Sequence, residues 1–265
     1  MKLMTDIQWL IGGEAGYGIM TTGVMMSKIM TRLGLSVFDY VEYPSLIRGG
    51  HNAYYVRGSD QQIHSQKKDV EILVALNRQT IDLHKEELTE DAAIIYDSNS
   101  LKVQDGEFGA KQLVIPIPLI DFIKELNVDR LMVNTIAVGA SLALFYDHHD
   151  ILEHIMHDTF GKKGDEIVAT NIKTSKKGFD FVDHNFANKF TKKFTKGKQE
   201  SLLISGAEGV ALGAIRSGMK FAAIYPMTPI NGIITKITEH ALDYSIVIKE
   251  PEDEISGINM AIGAG

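Results

Sequence analysis

The chain has 265 residues and a mass of 29.3 kDa, room for one large domain or two ordinary ones. Its 45% hydrophobic and 23% charged residues sit near globular averages and exclude a disordered or fibrous protein. With no cysteine, disulfides, a catalytic thiol and Cys-ligated zinc or iron–sulfur centres are excluded on this chain. The formal charge of −7 is uneven. Residues 161–198 hold ten lysines against four acids, a local +6 that leaves −13 on the rest. Those lysines alternate with Phe179, Phe181, Phe186, Phe190 and Phe194 and include no arginine, so a solvated helix face running into a linker explains them better than nucleic acid or a membrane surface. No apolar run approaches the roughly 18–20 residues that span a bilayer, and Asp6 interrupts the start before a signal-peptide core forms. A cytoplasmic protein is expected.

In chain order, Ile7–Ile11 reads as a buried strand ending in Gly12-Gly13. A helix follows, with Ile19, Gly23, Met26, Met30 and Leu33 on one face and Gly34 as its stop. Val37–Val41, Ala53–Val56, Val70–Ala75, Ala92–Tyr96 and Leu113–Ile117 read as further strands, with a polar helix over Gln79–Leu88. This order predicts an α/β layer on a mostly parallel sheet. Asn134–Tyr146 is small and apolar nearly all round, the pattern of a buried helix. The lysine-rich stretch 185–200 lacks strong periodicity and reads as a linker. A second unit, 201–265, opens with a strand at Leu202–Ile204 and continues as helix (Val210–Ser217), strand (Phe221–Tyr225), turn, helix (Ile233–Leu242), strand (Ile246–Ile248) and a helix from about Glu252. That stretch is thin for an α/β domain, so truncation or completion by another polypeptide is expected. The expected boundaries are 1–184, a linker over 185–200, and 201–265.

Four constellations carry chemistry. Gly12-Gly13-Glu14-Ala15-Gly16-Tyr17-Gly18 stands between strand and helix. It suits either an anion at a helix N-terminus or a tight turn, but its closely spaced glycine pair comes last, unlike the dinucleotide fingerprint. In Tyr43 to Asn52, Arg48 beside two glycines offers a planar fork to a carboxylate or phosphate, and His51 reads as a hydrogen-bonded loop residue. His64, His148, His149, His154 and His157 do not define a metal site. Tyr225-Pro226-Met227-Thr228-Pro229 presents a threonine hydroxyl between two prolines at the carboxyl end of a strand, while Pro229 also suits the first turn of a helix. Glu250-Pro251-Glu252-Asp253-Glu254 places four acids at a helix start. The macrodipole accounts for three, and Glu254 leads into a stretch of small residues that can pack against a cofactor or partner.

Together these segments resemble the 2-oxoacid:ferredoxin oxidoreductases, specifically the large (alpha) subunit with a gamma domain fused ahead of the pyrimidine-binding domain. All four motifs match in order, and Tyr-Pro-Met-Thr-Pro and Glu-Asp-Glu-Ile are the most specific. The subtype looks most like the 2-oxoglutarate enzymes. Ala207 stands where family members usually have Asn, and the rest of the pyrimidine-binding domain is missing after Gly265. The resemblance implies a Rossmann-like gamma domain followed by the first part of a thiamine-diphosphate pyrimidine-binding α/β domain. It implies oxidative decarboxylation of a 2-oxoacid with coenzyme A to acyl-CoA, carbon dioxide and reduced ferredoxin. Thiamine diphosphate would be shared with a smaller subunit that carries its Mg2+ and the iron–sulfur cluster, with no metal on this chain. Glu254 aligns with the carboxylate that hydrogen-bonds the aminopyrimidine, a general acid–base role. Thr228 would bind the substrate carboxylate, and Arg48 resembles the basic residue brought to the substrate or coenzyme A. Two other readings stand beside this one: a non-catalytic assembly or docking subunit of the same fold, and a nucleotide-binding oxidoreductase, which the glycine order disfavours.

Overall fold

The computed structural model describes residues 5–14, 16, 18–43, 50–197 and 201–265, and it divides into two compact units, Met1–Leu202 and Leu203–Gly265.

The first unit runs β1 (Asp6–Glu14), α1 (Ile19–Arg32), β2 (Ser36–Glu42), β3 (His51–Ser59), β4 (Val70–Ala75), α2 (Arg78–His84), β5 (Leu88–Asp97), β6 (Leu113–Ile117), α3 (Leu119–Leu126), α4 (Val133–Phe145), α5 (Asp150–Phe160) and α6 (Asp165–Phe186). The six strands form one sheet in the order β2-β3-β1-β4-β5-β6. From β1 through β6 the neighbours are parallel, whereas β3 runs antiparallel to both β1 and β2. The sheet is therefore parallel at its centre and one edge, with an antiparallel ribbon at the other. Alternation along β1 sends Ile7, Trp9 and Ile11 to one face and Leu10 to the other, and all are fully buried, as a central strand covered on both sides requires. The first face carries the larger core, shared with α1, α4 and the buried side of α5. The second carries a smaller one around Leu73, Ile94 and Ile81 of α2.

Every residue of α4 is buried, as its apolar sequence requires. It lies against α6 at close range. A Cβ on Gly139 would run into the Ser175 carbonyl, and one on Gly178 into the Ile136 carbonyl. Trp9 Nε1 donates to Ser141 Oγ at 3.0 Å, tying the sheet to α4.

Four expectations change here. The polar helix near 79–88 ends at His84 and a short 3-10 turn, because Leu88 already pairs with Val70 and starts β5. The strand Leu113–Ile117 is expected to be stopped by Pro116 and Pro118, but Pro116 lies inside β6, which an edge strand tolerates. Gly12 and Gly13 belong to β1, so the turn proper begins later, where Gly16 and Gly18 hold positive φ of 94° and 73°. The lysine-rich stretch read as a linker packs on the first unit: Phe190 and Phe194 are buried, Phe194 N donates to Phe145 O at 2.8 Å, and Gly197 N donates to Leu33 O at 2.7 Å.

The second unit runs α7 (Gly206–Arg216), β7 (Phe221–Ala223), α8 (Asn231–His240), β8 (Val247–Lys249) and α9 (Glu254–Ala264). Its β7 and β8 are parallel and, among the described residues, pair only with each other. A capping box starts α7: Ser205 Oγ accepts from Glu208 N, and the Glu208 carboxylate accepts from Ser205 N. The strand expected at Leu202–Ile204 is absent, since no described strand pairs with it. The buried cluster consists of Ala211, Ile215, Ile237 and Ile246. No helix among the described residues is long and apolar enough to cross a membrane.

Candidate functional site

In the second unit, the chain leaving β7 passes through Tyr225 to Pro229, and the start of α9 comes up beside it. Asp253 is the N-cap of α9: its carboxylate accepts from Ser256 N at 2.7 Å, and this capping holds its pKa below the ordinary carboxylate value. The cap assigns one acid of the run a structural task and leaves Glu254 as the first helical residue. Gly257, one turn on, is buried against Ala223 and Pro251, where an added Cβ would sit 3.4 Å from Pro251 Cγ and 3.5 Å from Ala223 O. The result is a hollow of about 430 Å³, walled by Ala223, Ile224, Met227, Ile258 and Ala261, with Thr228 and Glu254 both in its lining. Thr228 and Glu254 lie 26 positions apart in the sequence, and the fold brings them to one cavity. Both side chains are exposed. The Thr228–Pro229 peptide is cis, and α8 starts at Asn231, so Pro229 precedes that helix instead of occupying its first turn.

In the first unit, the glycine turn borders a separate hollow of about 390 Å³, lined by Gly16, Gly18, Thr22, Asn134, Thr135 and Lys163 among others. Arg48 lies outside the described residues. His51 is described, and it is not a loop residue: it starts β3, opposite Glu14 in the β1–β3 register. Its Nε2 stands 2.8 Å from His84 Nε2, and His84 Nδ1 stands 3.1 Å from Glu87 Oε1. Tyr55 OH donates to Glu87 Oε2 at 3.1 Å. Burial, and after it the neighbouring His84, pushes His51 down to about 4, while burial and the Glu87 charge push Tyr55 upward. Sequence reading missed His84, Glu87 and Tyr55, because only the β3–β1 pairing and the position of α2 bring them to His51.

A second histidine cluster has the layout of a hydrolase triad but not its access. His149 stands 2.9 Å from Ser175 Oγ and 3.1 Å from Glu153 Oε1. Ser175 is fully buried between helices and also bonds the Ile172 carbonyl at 3.0 Å, so no substrate reaches it. The cluster joins α5 to α6. No group of three or more metal-ligating side chains occurs among the described residues.

Residues 8–181 match the family described as pyruvate ferredoxin/flavodoxin oxidoreductase, and residues 212–265 match pyruvate flavodoxin/ferredoxin oxidoreductase, thiamine diP-bdg. A 2-oxoacid:ferredoxin oxidoreductase subunit alpha from Sulfolobus sp is 24% identical over 97% of this chain and 48% of its own length. The 2-oxoglutarate oxidoreductase subunit KorA of Mycobacterium tuberculosis is 23% identical over 95% of this chain and 44% of its own. Among solved structures, a 2-oxoglutarate:ferredoxin oxidoreductase from Magnetococcus marinus, with 2-oxoglutarate, coenzyme A and succinyl-CoA bound, superposes with a TM-score of 0.89 at 26% identity. It covers 98% of this chain and 46% of that one. The chain spans about half the length of the curated relatives it matches. With the family match covering well over half of its residues, the chain belongs to the pyruvate ferredoxin/flavodoxin oxidoreductase family.

Proposed function

We propose that the chain is the alpha-type subunit of a 2-oxoacid:ferredoxin oxidoreductase acting on 2-oxoglutarate, with residues 1–184 as its gamma domain and 201–265 as the start of its pyrimidine-binding domain. The observation that carries this reading is the single hollow that gathers Thr228 and Glu254 in a unit matching the thiamine-diphosphate-binding family. The lining suits an aminopyrimidine: apolar walls for a flat ring, and a carboxylate and a hydroxyl for its polar edge. When bound, thiamine diphosphate supplies the acidic thiazolium carbon and the electron sink for decarboxylation.

Each residue of this chain then has a task. Glu254 shares a proton with the pyrimidine ring nitrogen and so sets the proton balance of the ring. Thr228 donates its hydroxyl to the carboxylate of the 2-oxoacid, and Arg48 offers its guanidinium to the same substrate or to coenzyme A. Ile224, Met227 and Ile258 keep water from the ring face. A smaller partner subunit holds the diphosphate, its Mg2+ and the iron–sulfur cluster and passes electrons to ferredoxin, a division that the absence of cysteine here supports.

The test is co-production with such a subunit, followed by assay of ferredoxin reduction. Reduction that depends on both 2-oxoglutarate and coenzyme A is expected. A stable complex loaded with thiamine diphosphate that turns over no 2-oxoacid would refute the reading. The chain by itself is expected to show neither activity nor, after anaerobic treatment with iron and sulfide, a visible absorption band that survives desalting.

A further inference from the structure

Two acids stand side by side at the start of α9, and the fold uses them differently. Glu254 lines the hollow and Asp253 does not. Asp253 has extended backbone, φ −154° and ψ 166°, and its Oδ1 turns back to accept from Ser256 N at 2.7 Å. Its carbonyl accepts from Gly257 N at 3.2 Å, so the same residue opens the hydrogen-bond ladder of the helix. The Ser256 N–H, with the Ser256 hydroxyl and the Ile255 N–H, holds its carboxyl below the ordinary carboxylate range. Asp253 therefore stays ionised and leaves a shared proton to its neighbour.

The choice of helix start falls on this one residue. Between Lys249 and Ile255 the sequence reads Glu-Pro-Glu-Asp-Glu, and Asp253 is the sole residue there of a type that caps well. Successive residues of a helix point roughly 100° apart, so the place where α9 starts decides which side chain faces the hollow. One turn on, Gly257 rests against Pro251 and Ala223, which seats the helix sideways on the end of β7. A fixed start and a fixed seat leave the Glu254 side chain one direction from the backbone.

We infer that Asp253 is the positioning residue for Glu254: its cap sets where α9 begins and so aims the Glu254 carboxylate into the hollow. Glu254 makes the contact, and Asp253 acts only through it. What Glu254 does there rests on the thiamine reading, whereas how it is aimed rests on this chain alone.

Two substitutions separate cap from charge. Asp253→Asn keeps a capping acceptor and drops the charge, while Asp253→Glu keeps the charge on a longer side chain that caps poorly. In the free full chain, the Ser256 amide should exchange with deuterium at the wild-type rate in Asp253→Asn and about two- to thirtyfold faster in Asp253→Glu, the worth of a cap. In the complete complex with thiamine diphosphate bound, exchange at the thiazolium carbon should match wild type in Asp253→Asn. In Asp253→Glu it should slow by up to about a hundredfold, the cost of a misplaced group. A third variant tests whether helix stability alone explains this. Gly263 has open space around it and lies outside the hollow, so Asp253→Glu/Gly263→Ala returns helix propensity without returning the cap. It should regain melting temperature and not thiazolium exchange. Wild-type thiazolium exchange in Asp253→Glu, slow exchange in Asp253→Asn, or exchange regained in the double variant overturns the inference. Glu254→Gln, measured alongside, keeps two failures apart. If it is slow while Asp253→Glu is not, the positioning role fails and the thiamine reading stands. If it exchanges at the wild-type rate, the thiamine reading fails and takes this inference with it. Should Asp253→Glu not assemble, the Ser256 amide in the free chain and Asp253→Asn in the complex still decide.

Discussion

Under the proposed function, Glu254 is the catalytic carboxylate and Glu252 only answers a helix dipole. Both are exposed, but only Glu254 lines the hollow. In the complete complex, Glu254→Gln keeps the shape and loses the shared proton, so turnover should fall about a hundred- to ten-thousandfold. Glu252→Gln should cost no more than about 0.3–1 kcal/mol of stability and nothing specific in rate. Hydrogen–deuterium exchange at the thiazolium carbon separates activation from later steps. If Glu254→Gln exchanges at the wild-type rate, the assignment fails. The buried histidines give a second residue-scale expectation. Burial lowers His51 to about 4, and burial, ahead of the opposing Glu153, lowers His149 as well. A histidine with a depressed folded pKa binds fewer protons in the native than in the unfolded chain, so its stabilising effect is complete above pH 6.5. That effect is lost as pH falls from about 6.5 toward 4, by at most about 1.4 kcal/mol per pH unit for each proton. Melting temperature should drop across that window, and less steeply in His51→Asn. Thr228 and Glu254 could be singled out from sequence because each sits in a short local motif, and the fold brings them to one hollow. His51's true setting could not, because its partners come from α2 and the turn beyond it.

At the scale of elements, the α4–α6 contact is the most sensitive join. Both helices are brought together over glycines, and the obstacle to any side chain there is the partner's backbone carbonyl, which cannot rotate away. Gly139→Ala or Gly178→Ala should therefore destabilise by at least the upper end of the usual 1–3 kcal/mol for overpacking, read as a fall in urea midpoint at unchanged slope. Ser141→Ala probes the same helix differently. It removes the acceptor of the fully buried Trp9 indole and should cost about 1–3 kcal/mol, with a change in Trp9 fluorescence, since Trp9 is the sole tryptophan. Elements defined by their own residues could be read from sequence. The uniform apolarity of α4 is one, and the strand–glycine–helix opening of β1 and α1 is another. Elements defined by a partner could not. Nothing within Val37–Val41 or Ala53–Val56 says that β3 inserts antiparallel beside β1, nor does the spacing of Phe190 and Phe194 show that a lysine-rich stretch folds back onto the core. The segment at Leu202–Ile204 has strand composition, and among the described residues no strand pairs with it.

On the scale of the whole molecule, the two units differ in how much apolar surface each buries for itself. The first unit closes a large core on one face of a six-stranded sheet and a smaller one on the other. The second has a four-residue buried cluster and a two-stranded sheet, and it leaves Val210, Leu242, Val247, Ile255, Ile258 and Ile262 exposed. At roughly 25 cal/mol per Å² of apolar surface, so small a cluster offsets little of the chain entropy that ordering the unit costs, about 1–2 kcal/mol per residue for the backbone alone. Local opening of the second unit should therefore need much less free energy than opening of the first. Native-state amide exchange resolves the two. In the isolated chain, amides of α7, α8 and α9 should exchange well before those of β1, β4, β5 and α4. Under the proposed function, α9 carries Glu254, so adding the smaller subunit with thiamine diphosphate should slow exchange most along α9 and the Tyr225–Pro229 segment, because a partner that covers them binds only their folded form. Unchanged exchange in α9 within a complex that does assemble would move the cofactor site away from this hollow. Equal exchange in both units of the free chain would show instead that the second unit borrows stability from contacts outside its own cluster.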